Sequence, residues 1–511
     1  MKCLRFVLPI LAAWALGGAI APAFATTLGQ FDPAFNGGTP ATLFDGDGNE
    51  IDAVAAAINP VNGDILWAGS GGSAPTHGGI VAYKPDGTVD SSVGSDGLIL
   101  VSPTAVNYPS DNLVLTDIAV DGAGRILVSG IVKDTNNILL LARFNPDGSP
   151  DTGFGTAGTG FVVVAPSESA ASGHDLALTA DGHIMVVGVV STGGTRKVAV
   201  WQFGPDGTID ADFGDAGHVR VDSLDGFALV FGCASVLEPN AELIIACRMG
   251  AGGFKIVRLH ADGSPDTAFG DDGLVSVGSQ YMNSLSLALV PGGGLAVAYS
   301  YHDIAGTLRY LTRLRRYLPD GSPDPGFNDG SAVTVTNTTT GCVVEVAAQP
   351  DGKLLLTTNC FFSGDILLAR VLPDGSLDAA FGTDSFPGFA DVGSFSAAGL
   401  FGPIPMAIAI QADGRIVIVG NAENSSSVSG IFTTRLLNDA FDLTPDTPAF
   451  DAVGRASLDQ AVVSNAVTLG SVSIGDETDG IALALMVKGG QYSTTGSDGP
   501  FTGDAGSSNI A

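Results

Sequence analysis

Several groups in this chain have the type and spacing for chemistry. Asp45, Asp47 and Asn49 stand at alternate positions in "DGDGNEID", the spacing with which a calcium loop turns successive oxygens toward one ion. The twelfth position of such a loop is Ala56 rather than a bidentate Glu, and the plain alternative is an Asp- and Gly-rich turn. His77, His174 and His302 are three of the six histidines. Brought together, they could hold a divalent metal or act as general acid and base; left apart, they are ordinary loop residues. Arg196 in "GTRK" and Arg248 in "ACRMG" could receive an anionic ligand or pair with local carboxylates. The sequence carries no nucleophile elbow, phosphate loop or zinc-binding helix.

Whether these residues meet depends on the elements that carry them, and those elements repeat. "FNPDGSPDTGFG" begins at Phe144, and close variants begin at Tyr83, Phe203, Leu259, Tyr317 and Val371. The first Asp of the phrase falls at Asp86, Asp147, Asp206, Asp262, Asp320 and Asp374, at intervals of 61, 59, 56, 58 and 54 residues. A period of this length signals stacked or radial units. Between the phrases lies a second marker, a turn followed by a β run, as in "AGRILVSG" at Ala123 and "DGHIMVVG" at Asp181, with seven copies in all. Such turns between apolar runs read as hairpins. In the second unit the runs predict four strands, a to d, over 114–120, 126–132, 138–144 and 161–164. Seven four-stranded antiparallel units describe an all-β, seven-bladed β-propeller.

The phrase then connects strands c and d. Pro presets φ for a tight turn, Asp bonds its own backbone, and Gly takes positive φ. The second Asp (Asp90, Asp151, Asp210, Asp266, Asp324, Asp378) is expected to cap nearby N–H groups, and the Phe three residues on, replaced by Val93 in the first copy, to plug the loop onto its blade. A group needed in every blade is architecture before it is chemistry. The ends support closure: "FDPAF" from Phe31 repeats the second half of the phrase, 41–44 matches an orphan strand d, and the seventh unit lacks one. An N-terminal strand completing the last blade removes two open edges.

The phrase "PDGSxDxxFG" at this period resembles the delta-60 repeat of secreted bacterial proteins. The resemblance covers 27–437 and implies a β-propeller outside the cytoplasm, with no established activity or catalytic residues. Residues 441–450 read as a linker and 451–511 as a small, incomplete β-sandwich module, with strands over 461–472 and 481–487.

The chain of 511 residues opens with Lys2 and Arg5, an apolar run and Ala23-Phe24-Ala25. That pattern predicts a signal peptide over 1–25 and a secreted, periplasmic or cell-envelope protein, with no membrane insertion after cleavage. A formal net charge of −31 disfavours nucleic acid and anionic lipid as partners. Four cysteines follow the signal. Cys233 and Cys247 are symmetric about Asn240, and Cys342 and Cys360 about Asp351, each at a hairpin turn. Residues equidistant from such a turn face each other, so the expectation is two a–b strand disulfides, against free buried thiols as the alternative.

In a propeller the d–a and b–c loops share one face around the channel, and His77, His174 and His302 fall there in units one, three and five. The reading is an exported, non-enzymatic binding or scaffold protein. Its partner is an extracellular protein or glycan, and it needs no cofactor unless Ca²⁺ binds at Asp45. The rival is a propeller-type lyase or lactonase with a divalent metal or His site at the channel mouth.

Overall fold

The computed structural model describes residues 30–43, 51–71, 77–102, 112–133, 137–155, 158–164, 172–192, 195–221, 230–249, 252–278, 282–303, 309–338, 344–358, 366–383, 386–392, 395, 400–425, 428–438, 484–485, 492–496, 499–503 and 508–509. The signal over 1–25, the triplet Asp45, Asp47 and Asn49, the pair Cys342 and Cys360, the linker 441–450 and the strand expected at 461–472 lie outside the described residues. Two compact units divide the chain, Met1–Phe441 and Asp442–Ala511.

The first unit is a ring of seven antiparallel sheets. In blade two the strands are Leu113–Val120, Ile126–Val132, Ile138–Phe144 and Phe161–Val164, hydrogen-bonded in that order. Blades one, three, four and five repeat this order from Ile51–Ile58, Ser172–Leu178, Val230–Leu237 and Met282–Val290. Blade six begins at Val344–Ala348 and carries two extra short strands, Gly382–Thr383 and Phe386–Pro387, beyond its outer strand Phe389–Asp391. Blade seven is Leu400–Ile410, Ile416–Asn424 and Ser429–Leu436, and its outer strand is Ala41–Leu43 from the N-terminus. The first strand of each blade packs against that of the next, including the seventh against the first. The ring is closed.

Strands b and c are covered on both faces by neighbouring blades. Ile138–Phe144 is buried at every position, so these strands read as continuous apolar runs. Strand d in blade two is half covered. The apolar core is accordingly seven seams. One joins blades one and two around Leu66, Ile80, Val128 and Leu140, and another joins blades seven and one around Phe35, Trp67 and Val419.

The phrase forms a clasp between blades. In blade two, Gly148 donates to Asn145 O and Asn145 donates to Ser149 O, a tight turn with Gly148 at φ +81°. Asp147 accepts from Ser149 N at 2.9 Å and Ser149 Oγ at 2.6 Å. The second Asp, Asp151, caps Gly153 N at 2.9 Å, and its other oxygen accepts from Arg143 Nε at 2.8 Å. The Arg143 guanidinium lies over the Phe154 ring, 4.4 Å from its centroid, and donates to Pro205 O of blade three. Phe154 is fully buried and reaches past its own blade. A Cβ on Gly207, in the next blade's turn, would stand 2.8 Å from its ring. The residue after the Phe, or after Val93 in blade one, then donates to the next blade's phrase: Gly94 to Asp147 O, Gly155 to Asp206 O, Gly214 to Asp262 O, Gly270 to Asp320 O and Asn328 to Asp374 O. The Phe expected to seat the loop on its own blade thus also locks the following one.

The ring closes inside one of these clasps. Arg435, near the C-terminal end of the ring, pairs with Asp32 from its beginning at 2.8 Å and lies 5.2 Å from the centroid of Phe35. Asn36 then donates to Asp86 O. Two blades lack the arginine. Ala82 stands there in blade one, and Asp90 instead interacts with the Asp64 side chain, whose pKa burial pushes up to about 6. Gln202 stands there in blade three, and Asp210 faces His183 Nε2 at 3.7 Å.

Cys233 and Cys247 are directly opposite across strands a and b of blade four, with Cα atoms 4.1 Å apart, and form a disulfide. In the C-terminal unit, Ala484–Leu485 pairs with Ser508–Asn509 and Tyr492–Gly496 with Gly499–Gly503.

Arg370→Ala strands the carboxylate of Asp378 in a site where both partners are buried, a loss of about 3–5 kcal/mol. Arg370→Lys, which keeps the charge without the planar fork, costs less. Urea unfolding measures both, and a loss below about 1 kcal/mol for Arg370→Ala, the value of an exposed pair, would contradict the clasp. Reducing the Cys233–Cys247 bond, with its sequence separation of 14, removes about 3 kcal/mol of loop-closure stabilisation. Melting with and without reductant checks this, and non-reducing peptide mapping checks the expected second pair.

Candidate functional site

The sequence-selected histidines fall on the face opposite the phrases. His77 starts strand c of blade one, opposite Gly71, and is exposed. His302 lies near the end of strand b of blade five, opposite Tyr310, with the two rings stacked at 4.5 Å. His174 sits in the irregularity between Gly173 and Asp175 of blade three. These blades are not adjacent in the ring. Arg248 donates to Asn283 O of blade five.

Among the described residues one trio has ligand atoms all within 4.8 Å of one another: Glu242, His260 and Asp266. It includes neither His77 nor His302. Arg258 is already among them, with Nη2 2.6 Å from Asp266, Nε 3.4 Å from Glu242 and Nη1 3.3 Å from Glu238. His260 Nδ1 is 2.7 Å from Glu242 Oε1. This is the blade-four clasp enlarged by two carboxylates, and the guanidinium supplies the positive charge that a cation would.

The second concentration of titratable groups lines the inner strands. Ala55, Asp117, Asp175, Ala234, Ser286, Glu345 and Ala407 stand opposite equivalent positions of strand b in successive blades. They form one level of the ring. Strand a is irregular near this level in several blades, for example between Leu115 and Asp117 and between Gly173 and Asp175. Strand a is also the inner edge of each sheet, so alternate backbone N–H groups along it have no ladder partner and need another. Side chains of the preceding blade supply them. Asp117 Oδ2 accepts from Leu176 N at 2.7 Å. Asp175 Oδ2 accepts from Ser235 Oγ at 2.8 Å. Ser286 Oγ accepts from Val346 N at 3.2 Å and donates to Glu345 Oε2 at 2.9 Å. Ser70 does the same for Leu115 N at 2.8 Å, and Asn421 for Ala53 N at 2.7 Å.

These acids retain partial solvent access although protein surrounds them. Burial first, and then the charge of Asp175, pushes the Asp117 pKa well up. Burial also raises Asp175, against hydrogen bonds from Asp117 and Ser235. Burial thus pushes both neighbouring carboxyls upward. Burial pushes Glu345 up to about 8. Chemically this level can hold and exchange protons. Its signal in the sequence is an acid inside an otherwise apolar strand, as in "LTDIAV" and "VVEVAA"; the clasp arginine is signalled two residues before each phrase turn, as in "ARFNPDG" and "ARVLPDG".

An acid whose pKa is higher folded than unfolded favours the native state while protonated. Glu345 gives its full contribution below its ordinary value near 4.5 and loses it as pH rises toward 8. Stability should fall over that window, by at most about 1.4 kcal/mol per pH unit for one proton. Glu345→Gln, which keeps an oxygen for Ser286, should flatten the slope. An unchanged slope in unfolding experiments from pH 5 to 8 would place the proton elsewhere.

Comparison with known proteins agrees with the ring. Residues 124–154, 179–213, 248–269, 304–327, 349–381 and 411–439 match the family described as "Domain of unknown function (DUF5122) beta-propeller". No curated protein matches the sequence. Among solved structures, a protein of unknown function from Dyadobacter fermentans is 10% identical, with 78% of this chain and 98% of that chain covered and a TM-score of 0.44. The polysaccharide lyase Uly1 is 10% identical over 76% and 90%, with a TM-score of 0.46. The Penicillium chrysogenum α-L-arabinanase is 12% identical over 78% and 97%, with a TM-score of 0.40. The family matches recur at the spacing of the repeat, and they agree with the seven-bladed β-propeller that the ring itself shows.

Proposed function

We propose that this propeller, of the delta-60 type, is an exported, non-enzymatic binding or scaffold protein. The observation that carries the reading is the fate of the recurring carboxylates. The first Asp of each phrase is held by its own Ser or Thr, as Asp86 by Thr88 and Asp374 by Ser376. The second is held by Arg143, Arg258, Arg316 or Arg370 in four blades. The most frequent polar groups are thus consumed in building the frame. On the opposite face Phe401 and Ile404, at the start of the first strand of blade seven, are 49% and 39% exposed. Exposed apolar side chains of this size suit contact with a protein or the apolar face of a sugar. The disulfide in blade four and the N-terminal sequence support export.

The competing reading is a lyase or lactonase that uses a divalent metal or the histidines at the channel mouth. Elemental analysis separates the two. A binding protein should carry no stoichiometric metal, and the His77→Ala, His174→Ala and His302→Ala triple variant should keep its melting temperature. Stoichiometric Ca²⁺, Mn²⁺ or Zn²⁺ that the triple variant loses would overturn the proposal. Glycan and secreted-protein arrays then read the contact surface, with Phe401→Ser and Ile404→Ser expected to weaken any ligand found.

A further inference from the structure

Strand c of blade five, Arg309–Tyr317, carries Arg309, Arg313, Arg315 and Arg316 in a chain with 22 basic and 53 acidic residues. Arg316 forms the blade-five clasp, its Nε on Asp324 at 2.5 Å. Arg313 and Arg315 are two residues apart and so lie side by side on the other face of the strand. Their surroundings are aromatic. Tyr299 stands opposite Arg313 in the sheet. Arg313 lies over the Tyr301 ring at 5.2 Å, and Arg315 over the Tyr317 ring at 5.3 Å. Tyr299 packs on Tyr301 at 6.3 Å and on Phe254 of blade four at 5.1 Å.

The two faces of this strand treat arginine in opposite ways. Each clasp arginine places Nε on a carboxylate. Arg313 Nε and Arg315 Nε are both buried without a hydrogen-bond partner, while the Tyr299 and Tyr317 hydroxyls interact with Arg313 and Arg315 in turn. Arg315 has one backbone acceptor, Gly330 O at 3.1 Å from Nη2. Among the described residues neither guanidinium forms an ion pair with a carboxylate, although acids outnumber bases in the chain by more than two to one. Both side chains are half-buried. Two like charges held side by side by stacking, with no carboxylate of the described residues on either, are a binding arrangement for a group with several acceptor oxygens. Stacking on tyrosine keeps the forks planar and fixed before any ligand arrives.

We infer that Arg313 and Arg315 form an oxyanion-binding site at the seam between blades four and five, one that takes a carboxylate or phosphate group of a small solute or saccharide. The site belongs to the flank of the ring and stands independently of the contact surface on the loop face.

Titration of the full chain at constant chloride tests this, with inorganic phosphate in one arm and D-galacturonate in the other. The expected result is saturable binding of at least one probe in the millimolar range or tighter, seen as a rise in melting temperature beyond that given by chloride. Arg313→Gln with Arg315→Gln should weaken it at least roughly tenfold. Lys133→Gln with Arg220→Gln, which removes the same charge from exposed positions in blades two and three, should leave it unchanged. Binding of phosphate alone would identify a phosphate site, and binding of galacturonate alone a site for acidic sugars. In the wild-type protein the ¹⁵Nε resonances of Arg313 and Arg315 should shift along the same titration, a readout that does not depend on the variant folding. No saturable binding of either probe, or binding that the control variant loses equally, would overturn the assignment and leave the pair as stacking alone.

Discussion

The ring depends on a carboxylate that must not be left alone. In each phrase the second Asp turns inward against apolar surface, where an unpaired charge is expensive. In five clasps an arginine answers it, stacks on the phrase Phe and in several cases reaches a carbonyl or amide of the adjoining segment. One residue thereby satisfies a charge, covers an aromatic ring and fixes the distance to the next blade. The amide after the Phe adds the second link. Most seams use the same parts, while the blades differ elsewhere. The two exceptions keep the rule: where Ala82 and Gln202 replace arginine, a protonatable acid and a histidine from the preceding hairpin turn toward the same carboxylate.

Much of this was legible in the sequence. The period, the hairpin markers and the orphan strand at 41–44 gave the blade count and the closure, because turn chemistry and strand alternation are local. The facing of Cys233 and Cys247 followed from symmetry about a turn. The arginines were not legible as part of the phrase. They sit inside strand c, beside residues that face the opposite way, and only the fold shows that the same face carries the Phe of the loop. The acids of the inner level escaped for a related reason. A bulge shifts the alternation by one residue, so Asp117 and Asp175 cannot be assigned to a face by counting. The histidines show the reverse failure: one face of a ring gathers loops from all blades, but sharing a face does not make residues neighbours.

The division between the two faces has a functional consequence. The phrase face is locked by ion pairs, turns and backbone links, and its polar groups are spent. The opposite face carries the longer connections, the exposed Phe401 and Ile404, and His77 and His302 in separate blades. Three carboxyl groups occupy one level of the inner strands, where burial pushes each of them upward.

The split clasp offers the most direct test of this account, because Asp32 and Arg435 lie at opposite ends of the ring-forming chain. A double-mutant cycle of Asp32→Ala and Arg435→Ala, followed by urea unfolding, measures their coupling. The account predicts a favourable coupling of roughly 1–3 kcal/mol and one cooperative transition that shifts as a whole. Additive effects, or early loss of blade seven with the other blades unchanged, would contradict it.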